Sequence, residues 1–160
     1  MLKIEIDGGG MTTLLDNLRT AVDDFTPVWP QVRQIFMAFM VKHFESEGSY
    51  AGDGWVPLSP AYAARKARLA PGKTILRFHD TLYKSLTKSG DANQVYRTGP
   101  SFMEFGTRVF YARIHQTGSL SVAGRPPKRV VLPLPTQNEG ERIADAMMAF
   151  MLKRARGAAR

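Results

Sequence analysis

The chain has no cysteine. That absence removes disulfides, thiolate metal sites and thiol nucleophiles together, so packing and hydrogen bonds must hold the fold, and synthesis in a reducing cytoplasm is compatible with it. Histidine is scarce, at positions 43, 79 and 115 only, with no HExxH-like pairing. No stretch approaches the roughly 20 uninterrupted apolar residues that a bilayer span needs. The opening Met-Leu-Lys-Ile-Glu-Ile-Asp interrupts its apolar residues with charges, so neither a membrane segment nor an export signal is expected. Gly8, Gly9 and Gly10 lack the Lys-Ser/Thr of a phosphate loop. The glycine-rich loop over 48–54 follows an expected helix rather than a strand, and Glu45, Glu47 and Asp53 lack calcium-loop spacing. No serine sits in a nucleophile elbow, and no carboxylates pair on one expected face. The sequence therefore predicts no catalytic, cofactor-binding or metal-binding residues and a protein that is not an enzyme.

What is present is enough for one folded domain over residues 1–160. At 160 residues, 44% hydrophobic and 10% aromatic, the chain can bury a real core but not two ordinary ones. Its net charge of +8 is unevenly placed: residues 1–54 carry four Lys/Arg against eight Asp/Glu, and residues 55–160 carry eighteen against six. Such asymmetry fits either a nucleic-acid partner for the basic part or stacking of an acidic surface on a basic one in an assembly.

Along the chain, Leu2, Ile4 and Ile6 alternate with charges as a short strand does. Leu14, Leu15, Leu18, Val22 and Phe25 recur at helical spacing up to Pro27, and Val32, Ile35, Phe36, Phe39, Met40 and Phe44 form the stripe of a core helix opened by Pro30. Ser59 caps an expected short basic helix over 61–69, whose Arg65, Lys66 and Arg68 lie around its surface, and Asp80-Thr81 caps another through Leu86. Residues 94–98 read as a strand, residues 101–107 as a loop or a helical turn, and Val130-Val131-Leu132 as a buried strand. A last helix is expected from Asn138, with Glu141 at capping-box spacing and Ile143, Met147, Phe150 and Met151 as its stripe. The fold class expected is α+β, with a small mixed or antiparallel sheet and flanking helices. A long basic loop over 119–129 and a basic tail over 153–160 are expected to be mobile when alone.

The densest stretch is Arg108-Val-Phe-Tyr-Ala-Arg-Ile-His-Gln-Thr-Gly118. Its alternation suits a half-buried strand, while a helical turn would set Tyr111 beside Ile114 and His115. Without a partner nucleophile or base, His115 reads as a hydrogen-bonding or interface residue rather than the base of a hydrolase. Trp55, Phe36, Phe39, Tyr111 and Ile114 are expected to be largely buried. Candidate interface residues are Arg125, Lys128, Arg129, His115, Gln116, Arg65, Lys66, Arg68, Lys153, Arg154 and Arg156. The same bases support a rival reading, a DNA-binding module, although they lack the interleaved aromatics of single-strand binders and any clear recognition helix.

Gly54-Trp55, Pro57-Leu58-Ser59-Pro60, Lys66, the Ile75-Leu76 to Leu86 segment, Tyr111-Ala112-x-Ile114-His115-Gln116-x-Gly118 and Pro127-x-Arg129-x-Val131-Leu132 follow one another in an order that resembles the phage virion morphogenesis family. The resemblance covers residues 44 to 150, with Thr81 and Thr117 standing where the family usually has Gly and an aromatic. It implies a structural protein of the neck or tail end, a ring that completes the tail or joins head to tail as a terminator or stopper does. Its partners would be further copies of itself, a hexamer being expected, and other phage neck or tail proteins. DNA would be met only as the genome passing through the channel, no membrane and no cofactor are implied, and the protein would reside in the virion and, during assembly, in the host cytoplasm.

Overall fold

Helix α1, Trp29–Glu45, is the element on which the other parts pack. The structure, a computed structural model, describes residues 16, 19, 23–118 and 126–157. The expected strand over 2–6 and most of the expected first helix lie outside the described residues, although Asp16, Arg19 and Asp23 are helical and exposed. A short 3-10 turn, Thr26–Val28, leads into α1, and Pro30 occupies its first turn, where a missing N–H costs nothing. The stripe then divides along its length. Phe39, Met40 and Phe44 pack with Trp55, Leu82, Leu86 and Val131 in one cluster, while Val28, Trp29, Val32 and Ile35 pack with Ala146 in a second. Phe36 is half-buried, lying against the ring of Phe105 at 5.6 Å between centroids.

Helix α2, Pro60–Leu69, starts as its sequence predicts, with the Ser59 side chain accepting from the Tyr62 N–H. Its surface is not uniformly basic, because Lys66 is buried. Helix α3, Thr81–Thr87, has Asp80 at its N-cap position as expected, but the Asp80 side chain makes no capping bond to the helix. Asp80 sits in the left-handed region at φ 59° and turns its carboxylate to Arg77 at 2.9 Å and to Lys73.

Strands β1, Gln94–Gly99, and β2, Phe102–Thr107, form an antiparallel hairpin with Tyr96 opposite Phe105 and Gly99 opposite Phe102. Residues 102–107 are thus a strand and not a loop or helical turn. The physical reason is the cross-strand face: Tyr96 and Met103 pack against the second cluster and Phe105 against the first. Exposed Phe102 and the glycine at 106 blur that alternation in the sequence. A Cβ on Gly99 would fall 2.4 Å from the exposed Phe102 ring, which would have to swing aside, and the Gly99 carbonyl accepts from Trp29 Nε1 at 2.7 Å.

The stretch at the centre of the sequence is a helix, α4, Phe110–Thr117. Ala112 is buried and Tyr111, His115 and Gln116 turn inward, so Ile114 is 41% exposed and Phe110 81% exposed, correcting the expectation for Ile114. Residues 130–132 form no strand. Helix α5, Gln137–Gly157, starts before Asn138: Thr136 bonds the Glu139 carboxylate, and residues 153–157 continue the helix rather than forming a loose tail. Residues 119–125 and 158–160 lie outside the described residues. Glu139 is buried and takes the Tyr50 hydroxyl at 2.8 Å with Lys42 at 3.6 Å, joining α5 to α1. Burial alone would raise its carboxyl pKa, but the hydrogen bonds from Thr136 and Tyr50, with the Lys42 charge, hold it below the usual carboxylate value.

Phe39 is 1% exposed in the larger cluster. Phe39→Ala is expected to cost about 3–5 kcal/mol, read as a lowered denaturation midpoint. A variant that unfolds with the wild type would place the α1 stripe outside the core.

Candidate functional site

The site begins with a segment that has no strand to pair with. Residues 129–132 cross the molecule as irregular backbone, and buried main-chain groups need partners there as anywhere. Side chains supply them. The Val130 carbonyl accepts from His43 Nε2 at 2.9 Å and from Trp55 Nε1 at 2.8 Å. Gln116 Oε1 accepts from the Val131 and Leu132 N–H groups at 2.7 and 2.9 Å, and Gln116 Nε2 donates to the Leu132 carbonyl at 3.1 Å. One amide side chain thus does the work of a neighbouring strand. The Arg129 N–H donates to the His115 carbonyl at 2.7 Å.

Trp55 reaches Val130 because the loop after α1 is shaped for it. Gly48 lies in the left-handed region at φ 90°, and a Cβ on it would stand 2.5 Å from the indole ring. The Trp55 N–H returns to the Glu47 carbonyl at 2.7 Å, and the Glu47 carboxylate accepts from the Ile75 N–H at 2.7 Å.

Arg129 and Lys66 are each 5% exposed. Arg129 Nε donates to the Val56 carbonyl at 2.8 Å and its Nη2 to the Pro57 carbonyl at 3.3 Å, while Lys66 Nζ donates to the Thr74 carbonyl. Burial pushes the Lys66 ammonium below its ordinary value, partly opposed by Glu47 and reinforced by the charges of Arg129 and Arg77. Burial also lowers Arg129, which nevertheless stays charged.

These groups floor a cleft of about 860 Å³, walled by Leu58, Tyr62, Ile75, Leu76, Phe78, Tyr111, Pro126 and Pro127, with Arg77, His79, Asp80 and His115 among its polar lining. His115 Nδ1 is buried without a hydrogen-bond partner among the described residues. Burial first, and then the Arg129 charge, lower the His115 pKa; burial lowers that of His43 too, against the pull of the Val130 carbonyl.

The candidate residues from the sequence therefore separate into two groups. Lys66, Arg129, His115 and Gln116 come together around the cleft and the 129–132 segment, which corrects the reading of Lys66 and Arg129 as surface bases. Arg65, Arg68, Lys128, Lys153 and Arg156 are exposed elsewhere, Arg154 bonds the Asp24 carbonyl at 3.2 Å, and Arg125 lies outside the described residues. Sequence reasoning missed His43, Arg77 and the Tyr50–Glu139 contact; the only signal for His43 was a histidine on the buried side of a core stripe. Among the described residues no three metal-ligating side chains converge.

The fold is thus α+β, and the described residues form a cleft with apolar walls and two buried cations in its lining. The profile of the phage virion morphogenesis family matches residues 6–151, and the chain belongs to that family. No curated protein and no solved structure matches the chain significantly. Membership points to a structural role in building the phage particle rather than to catalysis. No helix among the described residues is long and apolar enough to cross a membrane.

Two measurements probe the clamp. Gln116→Ala strands three main-chain groups and should destabilise the fold by about 1–3 kcal/mol in chemical denaturation. His43 and His115 both have folded pKa values below the ordinary 6.5. The unfolded chain then binds protons that the folded chain refuses, so stability is full above about pH 6.5 and is lost as the pH falls below it towards the folded values. Melting temperature should drop between pH 7.5 and pH 5.5, and His43→Gln should flatten that drop. An undiminished drop in the variant would remove His43 as a cause.

Proposed function

We propose that the protein forms a ring, a hexamer, at the end of the phage tail, where it completes the tail or joins it to the head as a terminator or stopper. The carrying observation is the family match over 6–151, which gives the role in particle construction. Three physical features support the finer reading. The hydrogen bonds of His43, Trp55 and Gln116 to the 130–132 main chain serve the fold. Exposed bases remain on α2 at Arg65 and Arg68, at Lys128, and on α5 at Lys153 and Arg156. The first 54 residues carry a net negative charge with which a neighbour's bases can pair. In a ring the same two patches recur on every copy, so one heterologous contact closes by rotation.

Replacing Arg65, Arg68 and Lys128 together by Glu tests this, because exposed substitutions of this kind change stability by only about 0.5 kcal/mol each. The folded variant should enter particles poorly, and infected cells should accumulate unjoined heads and tails in electron micrographs. Normal particle yield with the usual copy number would overturn the interface, and a native assembly mass that is not a multiple of six would overturn the hexamer.

A further inference from the structure

The cleft holds more positive charge than the fold uses. Lys66 and Arg129 are nearly fully buried, and neither forms an ion pair among the described residues. Each is satisfied only by neutral carbonyls, which compensate a buried cation less well than a carboxylate does. Of the two carboxylates within electrostatic reach of Lys66, Asp80 is engaged by Lys73 and Arg77, and the Glu47 carboxylate, which accepts from the Ile75 N–H, offsets part of the charge of both Lys66 and Arg129 without bonding either among the described residues. His115 belongs to the same lining, with its Nδ1 buried and unpartnered among the described residues. A cavity of about 860 Å³ with an under-compensated cationic floor and apolar walls is built for a ligand that is anionic at one point and greasy around it.

We propose that the cleft is a docking site for an extended acidic peptide segment of a partner chain, whose carboxylate sits over Lys66 and Arg129 while flanking apolar side chains lie against Leu76, Phe78 and Tyr111. A carboxylate can take the N–H groups of Lys66 that Thr74 leaves over, close to the His115 ring in the same lining. Lys66 and Arg129 are nearly fully buried among apolar walls, whereas a duplex backbone needs exposed bases, and this favours a peptide over nucleic acid. In a chain whose family builds particles, the ligand is another protein. This inference stands apart from the tail-end ring, since a peptide partner can be met anywhere in the particle or during its assembly.

The experiment uses the full chain and a fluorescein-labelled peptide, acetyl-Ala-Leu-Phe-Glu-Leu-Asp-Ala-amide, beside its Gln/Asn counterpart. Fluorescence anisotropy should show saturable binding of the acidic peptide and affinity for the amide version reduced about tenfold or more, as expected when charge-assisted bonds are lost. Lys66→Met, checked for an intact fold by circular dichroism, should weaken the acidic peptide by a similar factor. Should that variant unfold, nuclear magnetic resonance on the wild type decides: the acidic peptide should shift the His115 imidazole signals and its counterpart should not. Equal affinity for the two peptides, no saturable binding, or unmoved His115 signals would overturn the proposal. Displacement of the peptide by single-stranded DNA at concentrations below the peptide's own Kd would overturn it in favour of nucleic acid.

Discussion

A single carbonyl, that of Val130, fixes how the parts of this protein meet. It accepts from His43 on α1 and from Trp55 in the loop beyond it, so it joins the core helix, the following loop and the 129–132 segment at one point. Removing both donors would leave it an unsatisfied buried acceptor at a cost of about 1–3 kcal/mol, and removing one leaves the other to hold the segment alone. The His43 imidazole must be neutral or at least keep its Nε2 proton directed at that oxygen, and its aromatic neighbours Phe39, Phe44 and Trp55 make the uncharged form the favoured one. From that point the remaining geometry follows. Gln116 secures the next two residues, which sets α4 against the segment, and Arg129 secures the chain around Val56 and Pro57, which sets the approach to α2.

The parts of this arrangement that a periodic pattern encodes were legible in the sequence. The α1 stripe, the Ser59 start of α2, the first strand of the hairpin and the apolar face of α5 all follow from spacing, because burial on one face leaves a period in the residues. The parts held by distant hydrogen bonds were not. Val130, Val131 and Leu132 have the composition of a strand, yet their partners are side chains from three other places, and composition does not report who donates. Lys66 and Arg129 read as surface bases for the same reason: an aliphatic stem and a charged head suit either water or a cleft lined with carbonyls. The residues that carried the family resemblance include Trp55, Lys66, Gln116, Arg129 and Val131, and their common meaning is this clamp and the cleft it borders.

Buried cations are a poor way to gain stability, since apolar residues of similar volume would often serve the fold as well or better. Their presence on a cleft floor, beside an imidazole nitrogen with no partner, is the kind of local cost that functional surfaces carry and the rest of a domain offsets. Here the offset is visible in the second apolar cluster and in the Lys42–Tyr50–Glu139 contact between α1 and α5, which lie away from the cleft lining, whereas the first cluster supplies part of the cleft wall through Leu58, Ile75, Leu76 and Tyr111.

The second cluster has a consequence for how the chain is made. Val28, Trp29, Val32 and Ile35 come early in the sequence, and Ala146, which covers them with Ile143, Met147 and Phe150, comes late. During synthesis the first half of α1 therefore leaves the ribosome with an apolar face that Tyr96 and Met103 of the hairpin can reach first and that is closed only when α5 has emerged and shut a long loop. The nascent protein is in effect an open jaw with a tryptophan in its hinge. In a cell making many copies at once, that interval is when two chains can exchange their α5 helices or adhere through the bare stripe, so a chaperone that shields α1 would act on the synthesis of this protein before any particle begins to form.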